Sequence, residues 1–247
     1  MATNKALGQH WLKNRAILEE IADLAGEGEV CLEIGPGLGT LTSSLLKRFK
    51  KVVAVEYDKN LATKLPASFP GKNLEVVNED ILQYDLSNMP QEYVVCGNIP
   101  YYITSPIVEK LVSAENVPAR IVLLMQKEVA ERIASERESV LSLTVKNRAD
   151  IMLGPVVLKD EFTPPPEVDS QVIVLMPHEP VVEDKVFDLI KKGFAQPRKK
   201  LTKNLAMILP RDELKDVFIK LNINIDARPA DLHLSDWQRL YDKIYNK

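Results

Sequence analysis

Cysteine is almost missing from this chain. Cys31 and Cys96 are the only two in 247 residues. That excludes a small scaffold stapled by disulfides. Both lie in apolar runs and are expected to be buried, reduced thiols. Histidine is nearly as scarce. His10, His178 and His233 are too widely spaced to form a metal-ligand pattern, so no metal is expected. No apolar run is long enough to cross a bilayer, which removes membrane-spanning roles. The opening MATNKALGQH carries no apolar signal core, and a cytoplasmic protein is expected. An excess of positive charge is also lacking. Lys and Arg total 32 against 35 Asp and Glu, a net charge of −3, which on average argues against a nucleic-acid binder. The average hides one run, KKGFAQPRKKLTK. It holds Lys191, Lys192, Arg198, Lys199, Lys200 and Lys203 and no acid. Charge runs are most often solvated helix faces, and composition alone favours that reading over a phosphate-binding patch.

What is present is alternation. Helical spacing over residues 14–25 precedes the apolar strand 30–34, which breaks at Gly35-Pro36-Gly37. Helix is expected over 40–49, strand over 52–55, and helix from a cap at Asp58 to Leu65. Strands follow at 74–77, 93–96 and 120–124, with helices at 105–112 and 127–133. Short apolar strands separated by helices predict an α/β protein with a mostly parallel sheet covered on both faces. After Ala149 the pattern changes. Residues 151–158 and 171–175 read as strands with no helix between them, which suits an antiparallel sheet edge. Beyond the linker Pro177-His178-Glu179-Pro180 the chain reads as helices only, at 186–195, 201–209, 211–221 and 235–245. The expected division is 1–179 and 180–247.

In open parallel sheets, ligands bind beyond the C-terminal ends of the strands. Four such ends are chemically informative here. Glu33-Ile34-Gly35-Pro36-Gly37-Leu38-Gly39 is a glycine loop spaced G-x-G-x-G, one residue short of the dinucleotide fingerprint. A lone glycine loop is weak evidence, since any strand-to-helix turn can use one. Glu56 ends the next strand, where a carboxylate can accept both hydroxyls of a ribose. Asp80 ends the third, where it can accept a hydrogen bond from an adenine amino group; alone, it would more often be a turn or cap residue. The fourth end reads CGNIPYY, from Cys96 to Tyr102. Together the first three describe an adenosine site with little provision for a pyrophosphate. That suits S-adenosylmethionine better than a dinucleotide.

At this point several stretches resemble one family. GQHWL (Gly8 to Leu12), EIGPGLGTLT (Glu33 to Thr42), NIPYYIT (Asn98 to Thr104), MQKEVAERI (Met125 to Ile133) and FTPPPEVDS (Phe162 to Ser170) are similar to motifs of the ribosomal RNA adenine-N6,N6-dimethyltransferases, in family order. The resemblance implies a Rossmann-like class I methyltransferase sheet, mostly parallel with an antiparallel edge strand, followed by a small all-helical domain. It implies that residues 1–179 bind S-adenosylmethionine and catalyse, and that 180–247 bind rRNA. His10 and Leu12 would contact the methionine end of the cofactor. Gly35 and Gly37 would line the loop, Glu56 would hold the ribose, and Asp80 with the Ile81 backbone would hold the adenine. Asn98 would sit between the cofactor and the target base. The basic residues from Lys191 to Lys203 would then contact RNA backbone. Four departures stand out. His10 replaces a usual Asn, Trp11 replaces a usual Phe, the Ala134–Leu143 segment is short, and Pro197 stands where an arginine is usual.

The chemistry of NIPYY fits that reading. An adenine amine is a poor nucleophile because its lone pair is delocalised into the ring. Acceptors aimed at its hydrogens favour the pyramidal, nucleophilic form. The Asn98 side-chain oxygen and the Ile99 carbonyl are the candidates, and Pro100 stiffens the turn that carries them. Tyr101 offers a stacking face for a base drawn out of its helix, with Phe162 closing the other side. Tyr102 is read as packing. The expected activity is dimethylation of two adjacent adenosines near the 3′ end of small-subunit rRNA, within an immature 30S-type particle. Competing readings are a large-subunit rRNA methyltransferase of the resistance type, a ribosome-assembly checkpoint factor, and a small-molecule methyltransferase.

Overall fold

The structure is a computed structural model that describes residues 9–245. Gly8, the first residue of the GQHWL motif, lies outside them. The elements run in chain order as β1 (Trp11–Leu12), α1 (Arg15–Ala25), β2 (Gly28–Ile34), α2 (Thr40–Leu45), β3 (Phe49–Glu56), α3 (Lys59–Lys64), β4 (Leu74–Asn78), β5 (Val94–Asn98), α4 (Thr104–Val112), β6 (Arg120–Gln126), α5 (Lys127–Ala134), α6 (Val140–Arg148), β7 (Ala149–Val157), β8 (Phe162–Thr163), β9 (Ser170–Pro177), α7 (Asp184–Gly193), α8 (Leu201–Asn204), α9 (Arg211–Lys220) and α10 (Leu234–Tyr245). Among the described residues no helix is long and apolar enough to cross a membrane.

Contacts divide the chain into two compact units. One takes the chain up to Glu131 and Ala149–Pro177; the other takes Arg132–Arg148 and the chain from His178 onward. The expected split near residue 180 meets the second crossing, but residues 132–148 pack with the helices rather than with the sheet.

In the sheet unit, seven strands lie in the order β4-β3-β2-β5-β6-β9-β7. The pairs from β4 to β6 are parallel, and β9 is antiparallel to both β6 and β7. The sheet is therefore mostly parallel, with its antiparallel part at the β7 edge. The order reverses between β2 and β5, which places the crevice beyond their C-terminal ends. Local sequence explains the helix that covers β5 and β6. In α1, Asn14 caps the amides of Ala16 and Ile17 at 3.0 and 3.4 Å. Leu18, Ile21, Ala22 and Ala25 then bury one stripe at helical spacing. The short pair β1–β8, with Leu12 opposite Phe162, was not foreseen from two-residue segments.

In the helical unit, Trp237, Phe218, Leu189 and Leu201 form the core, and Leu143 of α6 joins them. The α6 side chain Asn147 donates to the Val182 carbonyl at 3.1 Å and accepts the Val182 amide at 2.7 Å. Glu138 is buried, yet it accepts from Lys146 at 2.8 Å and Ser142 at 2.7 Å, and its Oε1 lies 3.1 Å from His233 Nδ1. These bonds compensate for removing the carboxylate from water. The short segment after α5 thus has an ordered structural role.

Candidate active site

Four strand ends converge on one cavity of about 330 Å³ in the sheet unit. His10, Gly35, Gly37, Glu56, Asp80, Ile81, Asn98, Ile99, Pro100 and Tyr101 all line it. Ten residues singled out from the sequence are therefore brought together.

The glycine loop leaves β2 with positive φ at Gly35, Gly37 and Gly39. At Gly37, φ is +56°, and a Cβ would meet Trp11 Nε1 at 3.1 Å. Only glycine passes there without strain. The Gly37 amide donates to Glu56 Oε2 at 3.0 Å, while the Asp58 amide donates to Oε1 at 2.8 Å. Glu56 is held between two turns, and each oxygen keeps a second lone pair for a ligand. Burial raises its pKa; the Asp58 and Gly37 amides offset part of that rise. Asp58 is also the expected cap of α3, accepting the Asn60 and Leu61 amides.

Asp80 Oδ1 accepts the Leu82 amide at 2.9 Å and shapes the turn after β4. The residue also lines the cavity, so its place in the turn does not remove it from the site. Ile81 beside it is buried.

Asn98 ends β5. Its Nδ2 donates to the His10 carbonyl at 3.0 Å. Committing the amide donor to backbone leaves Oδ1 as the acceptor offered by this side chain. The next residue is fixed too, because the Ile99 amide donates to the Leu124 carbonyl at 3.1 Å. Pro100 continues in extended backbone at φ −61°. The Tyr101 hydroxyl is 2.7 Å from Ser170 Oγ, and its ring stacks on His10 with centroids 5.9 Å apart and planes at 18°. Burial pushes its pKa up, so the phenol stays neutral.

Beneath the loop, Glu33 is 1% exposed and its pKa is pushed up to about 8. Burial is the main cause, Thr42 lowers the value only in part, and the Glu56 charge raises it further. Neither Glu33 Oε2 nor Thr42 Oγ1 reaches a hydrogen-bond partner.

Two sequence expectations are placed elsewhere. Phe162 was expected to close the base pocket opposite Tyr101. It is 3% exposed, sits on β8, and belongs to the hydrophobic core beside Leu12. The ring facing Tyr101 is that of His10. Leu12 was expected to touch the cofactor, but it is buried in that same core and does not line the cavity. In the other direction, Tyr102 was read as packing, yet it is 62% exposed on the cavity wall. Tyr57, 64% exposed, joins it and was missed, although it directly follows Glu56. Gln9 and Trp11 also line the cavity. The basic residues Lys191, Lys192, Arg198, Lys199, Lys200 and Lys203 belong to the helical unit, and all six are exposed.

Comparison with known proteins agrees with this geometry. The family model "Ribosomal RNA adenine dimethylase" matches residues 1–246. Ribosomal RNA small subunit methyltransferase A of Acaryochloris marina is 38% identical over 261 residues, covering 98% of this chain and 97% of the relative. The protein of the same name from Mycoplasmopsis synoviae is 37% identical, covering 94% and 93%. Among solved structures, a dimethyladenosine transferase from Plasmodium falciparum aligns with a TM-score of 0.81 at 29% identity, over 95% of this chain and 98% of that one. The 23S rRNA methyltransferase ErmE aligns with a TM-score of 0.77 at 27% identity, over 95% and 99%. With a match spanning essentially the whole sequence and relatives of the same length, the chain belongs to the ribosomal RNA adenine dimethylase family.

Proposed function

We propose that this S-adenosylmethionine-dependent enzyme dimethylates the N6 amines of two adjacent adenosines near the 3′ end of small-subunit rRNA. The observation that carries the reading is the orientation of Asn98. Its donor is tied to the His10 carbonyl, so its oxygen is the group left to face an amine, in a cavity it shares with Glu56 and Asp80.

The cavity suits a nucleoside-bearing cofactor. Its wall carries carboxylate acceptors at Glu56 and Asp80 and the turn of Gly35 and Gly37, where a Cβ on Gly37 would crowd Trp11. When bound, S-adenosylmethionine supplies a methyl group already activated on a sulfonium, so alignment is the main demand on the protein. Glu56 accepts the ribose hydroxyls. Asp80 accepts the adenine amino group, with the Ile81 backbone beside it. Asn98 Oδ1 and the Ile99 carbonyl accept the hydrogens of the target amine and favour its pyramidal form. Pro100 fixes both acceptors, and Tyr101 stacks on the target base. The exposed cations from Lys191 to Lys203 hold RNA backbone, where phosphate contacts position without reading sequence. The substrate is taken to be an immature 30S-type particle in the cytoplasm.

The test is mass spectrometry of rRNA nucleosides after incubating purified protein and labelled S-adenosylmethionine with ribosomal particles that lack the modification. Dimethyladenosine in small-subunit rRNA is expected, and Asn98→Ala should sharply reduce it. Label confined to large-subunit rRNA, or to free nucleosides, would overturn the reading.

A further inference from the structure

An amide side chain can turn over, exchanging its oxygen and nitrogen with almost no change of shape. Asn98 keeps its acceptor role only while a fixed partner holds its Nδ2. That partner is the His10 main-chain carbonyl, at 3.0 Å. Asn98 Oδ1 has no partner among the described residues, so nothing else sets the orientation of this amide. Whatever fixes His10 therefore fixes Asn98.

The β1–β8 ladder stops one residue short of doing so. It pairs Trp11 with Thr163 and Leu12 with Phe162, and the Lys13 amide donates to the Glu161 carbonyl at 3.2 Å. One step further in that register, His10 falls opposite Pro164. Proline has no backbone N–H, so the rung that would occupy the His10 carbonyl is missing. That carbonyl is left for Asn98. The His10 side chain makes the tie that the ladder lacks. Its Nδ1 lies 2.8 Å from the Pro164 carbonyl oxygen. A carbonyl oxygen only accepts, so Nδ1 is the donor, whether the ring is neutral or charged.

We propose that His10 is a positioning residue: its side-chain N–H grips the Pro164 carbonyl so that its own main-chain carbonyl keeps Asn98 in the acceptor orientation. This rests on the reading that Asn98 accepts the hydrogens of the target amine. No proton is transferred to or from His10 in this role, and no basic nitrogen is needed. What matters is an N–H two atoms beyond Cβ. Asparagine, the usual residue that His10 replaces, offers one, because its Nδ2 is as many bonds from Cα as the histidine Nδ1. Leucine has the same branching with methyl groups in those places. Without the tie, the His10 carbonyl drifts and Asn98 can turn its NH2 to the target amine, donor against donor.

The test compares His10→Leu with His10→Asn. Both lose the ring that stacks on Tyr101, so the difference between them reads the N–H alone. Single-turnover methylation of rRNA at saturating S-adenosylmethionine should be roughly 10- to 100-fold slower in His10→Leu, and His10→Asn should recover most of that loss. In an Asn98→Ala background, His10→Leu should change the rate by less than about twofold, because a residue that acts through Asn98 has nothing left to position. Nitrogen-15 NMR gives a direct readout. The Asn98 side-chain NH2, identified by its loss in Asn98→Ala, should exchange slowly with water in wild type and faster in His10→Leu. Fast exchange in wild type overturns the proposal even if a variant fails to fold. Equal loss in the leucine and asparagine variants overturns it too, as does a full further loss on top of Asn98→Ala. A defect that more S-adenosylmethionine repairs assigns His10 to cofactor contact instead. A wild-type protein that neither binds S-adenosylhomocysteine nor methylates rRNA would sink the reading of the site itself, and this inference with it.

Discussion

The cavity of the sheet unit and the basic run of the helical unit use polar side chains in opposite ways. In the cavity each group is held before any ligand arrives. Glu56 is gripped by the Gly37 and Asp58 amides, Asp80 by Leu82, Asn98 by the His10 carbonyl, and Tyr101 by Ser170. In the basic run only Lys200 has a side-chain partner among the described residues, Asp226 at 2.5 Å. Lys191, Lys192, Arg198, Lys199 and Lys203 extend into solvent with none. Held groups discriminate by geometry, because they need not reorganise when the ligand binds. Loose cations act through their field, which tolerates sequence and responds to salt.

The largest test of that contrast is Asn98→Ala. Removing one preorganised group from the cavity should lower the single-turnover methylation rate about 10²- to 10³-fold. A rate within a few-fold of wild type would show that the cavity does not work by geometry.

Stability should depend on Glu33 in a direction set by its burial. Its folded pKa is raised from 4.5 to about 8, so the folded state keeps a proton that the unfolded chain has lost. Its cost to stability is absent below the unfolded value, grows as pH rises, and is complete above the folded value. Glu33→Gln should therefore stabilise the protein more at pH 8 than at pH 5, on the order of 1–3 kcal/mol. Chemical denaturation at the two pH values checks this. An equal effect at both would mean the carboxyl is ionised in the folded protein.

Each unit also contains a glycine with no room for a side chain. A Cβ at Gly97 would lie 2.7 Å from the Ile34 carbonyl oxygen, under the cavity. A Cβ at Gly193 would land on the Trp237 ring, in the helical core. Alanine at either should cost about 1–3 kcal/mol, read as a lowered melting temperature. The sharper expectation is functional. Gly97→Ala should impair cofactor binding at temperatures where the protein is still folded, whereas Gly193→Ala should spare it.

The smallest effects belong to the loose cations. Lys199→Ala should weaken rRNA binding by a similar factor for unrelated RNA sequences. It should also reduce the slope of log affinity against log salt by about 1. Fluorescence anisotropy at several salt concentrations measures this. A loss confined to one RNA sequence would break the comparison.

Much of the cavity was legible because its chemistry follows strands. Each apolar run ends on a polar residue or glycine, and parallel topology carries all such ends to one edge. Where the reading failed, tertiary contacts had overruled local pattern. The α6 sequence VLSLTVKNR is rich in β-branched residues and has no clear helical stripe. Its place comes from burying Leu143 and Asn147 among the helices. The helix after the glycine loop stops at Leu45, because Phe49 is already paired in β3. Phe162, which stands beside a proline run, looked like an exposed stacking ring, but pairing of β8 with β1 turns it into the core. Tyr102 carried the same local signals as Tyr101, and only Tyr101 found a partner in Ser170.

The sequence by itself determined the strand-end chemistry: a glycine turn, two carboxylates and an amide, each following an apolar run. Those choices are local, because side-chain type and strand period are written within a few residues. The tertiary structure alone decided how the groups are used. Asn98 offers its oxygen as the acceptor because its nitrogen is taken by a carbonyl 88 residues away in sequence. The His10 ring is oriented by Nδ1, which meets a carbonyl 154 residues away. The donor and acceptor roles of an amide or an imidazole depend on what its other atom touches. That contact exists only once distant segments have packed.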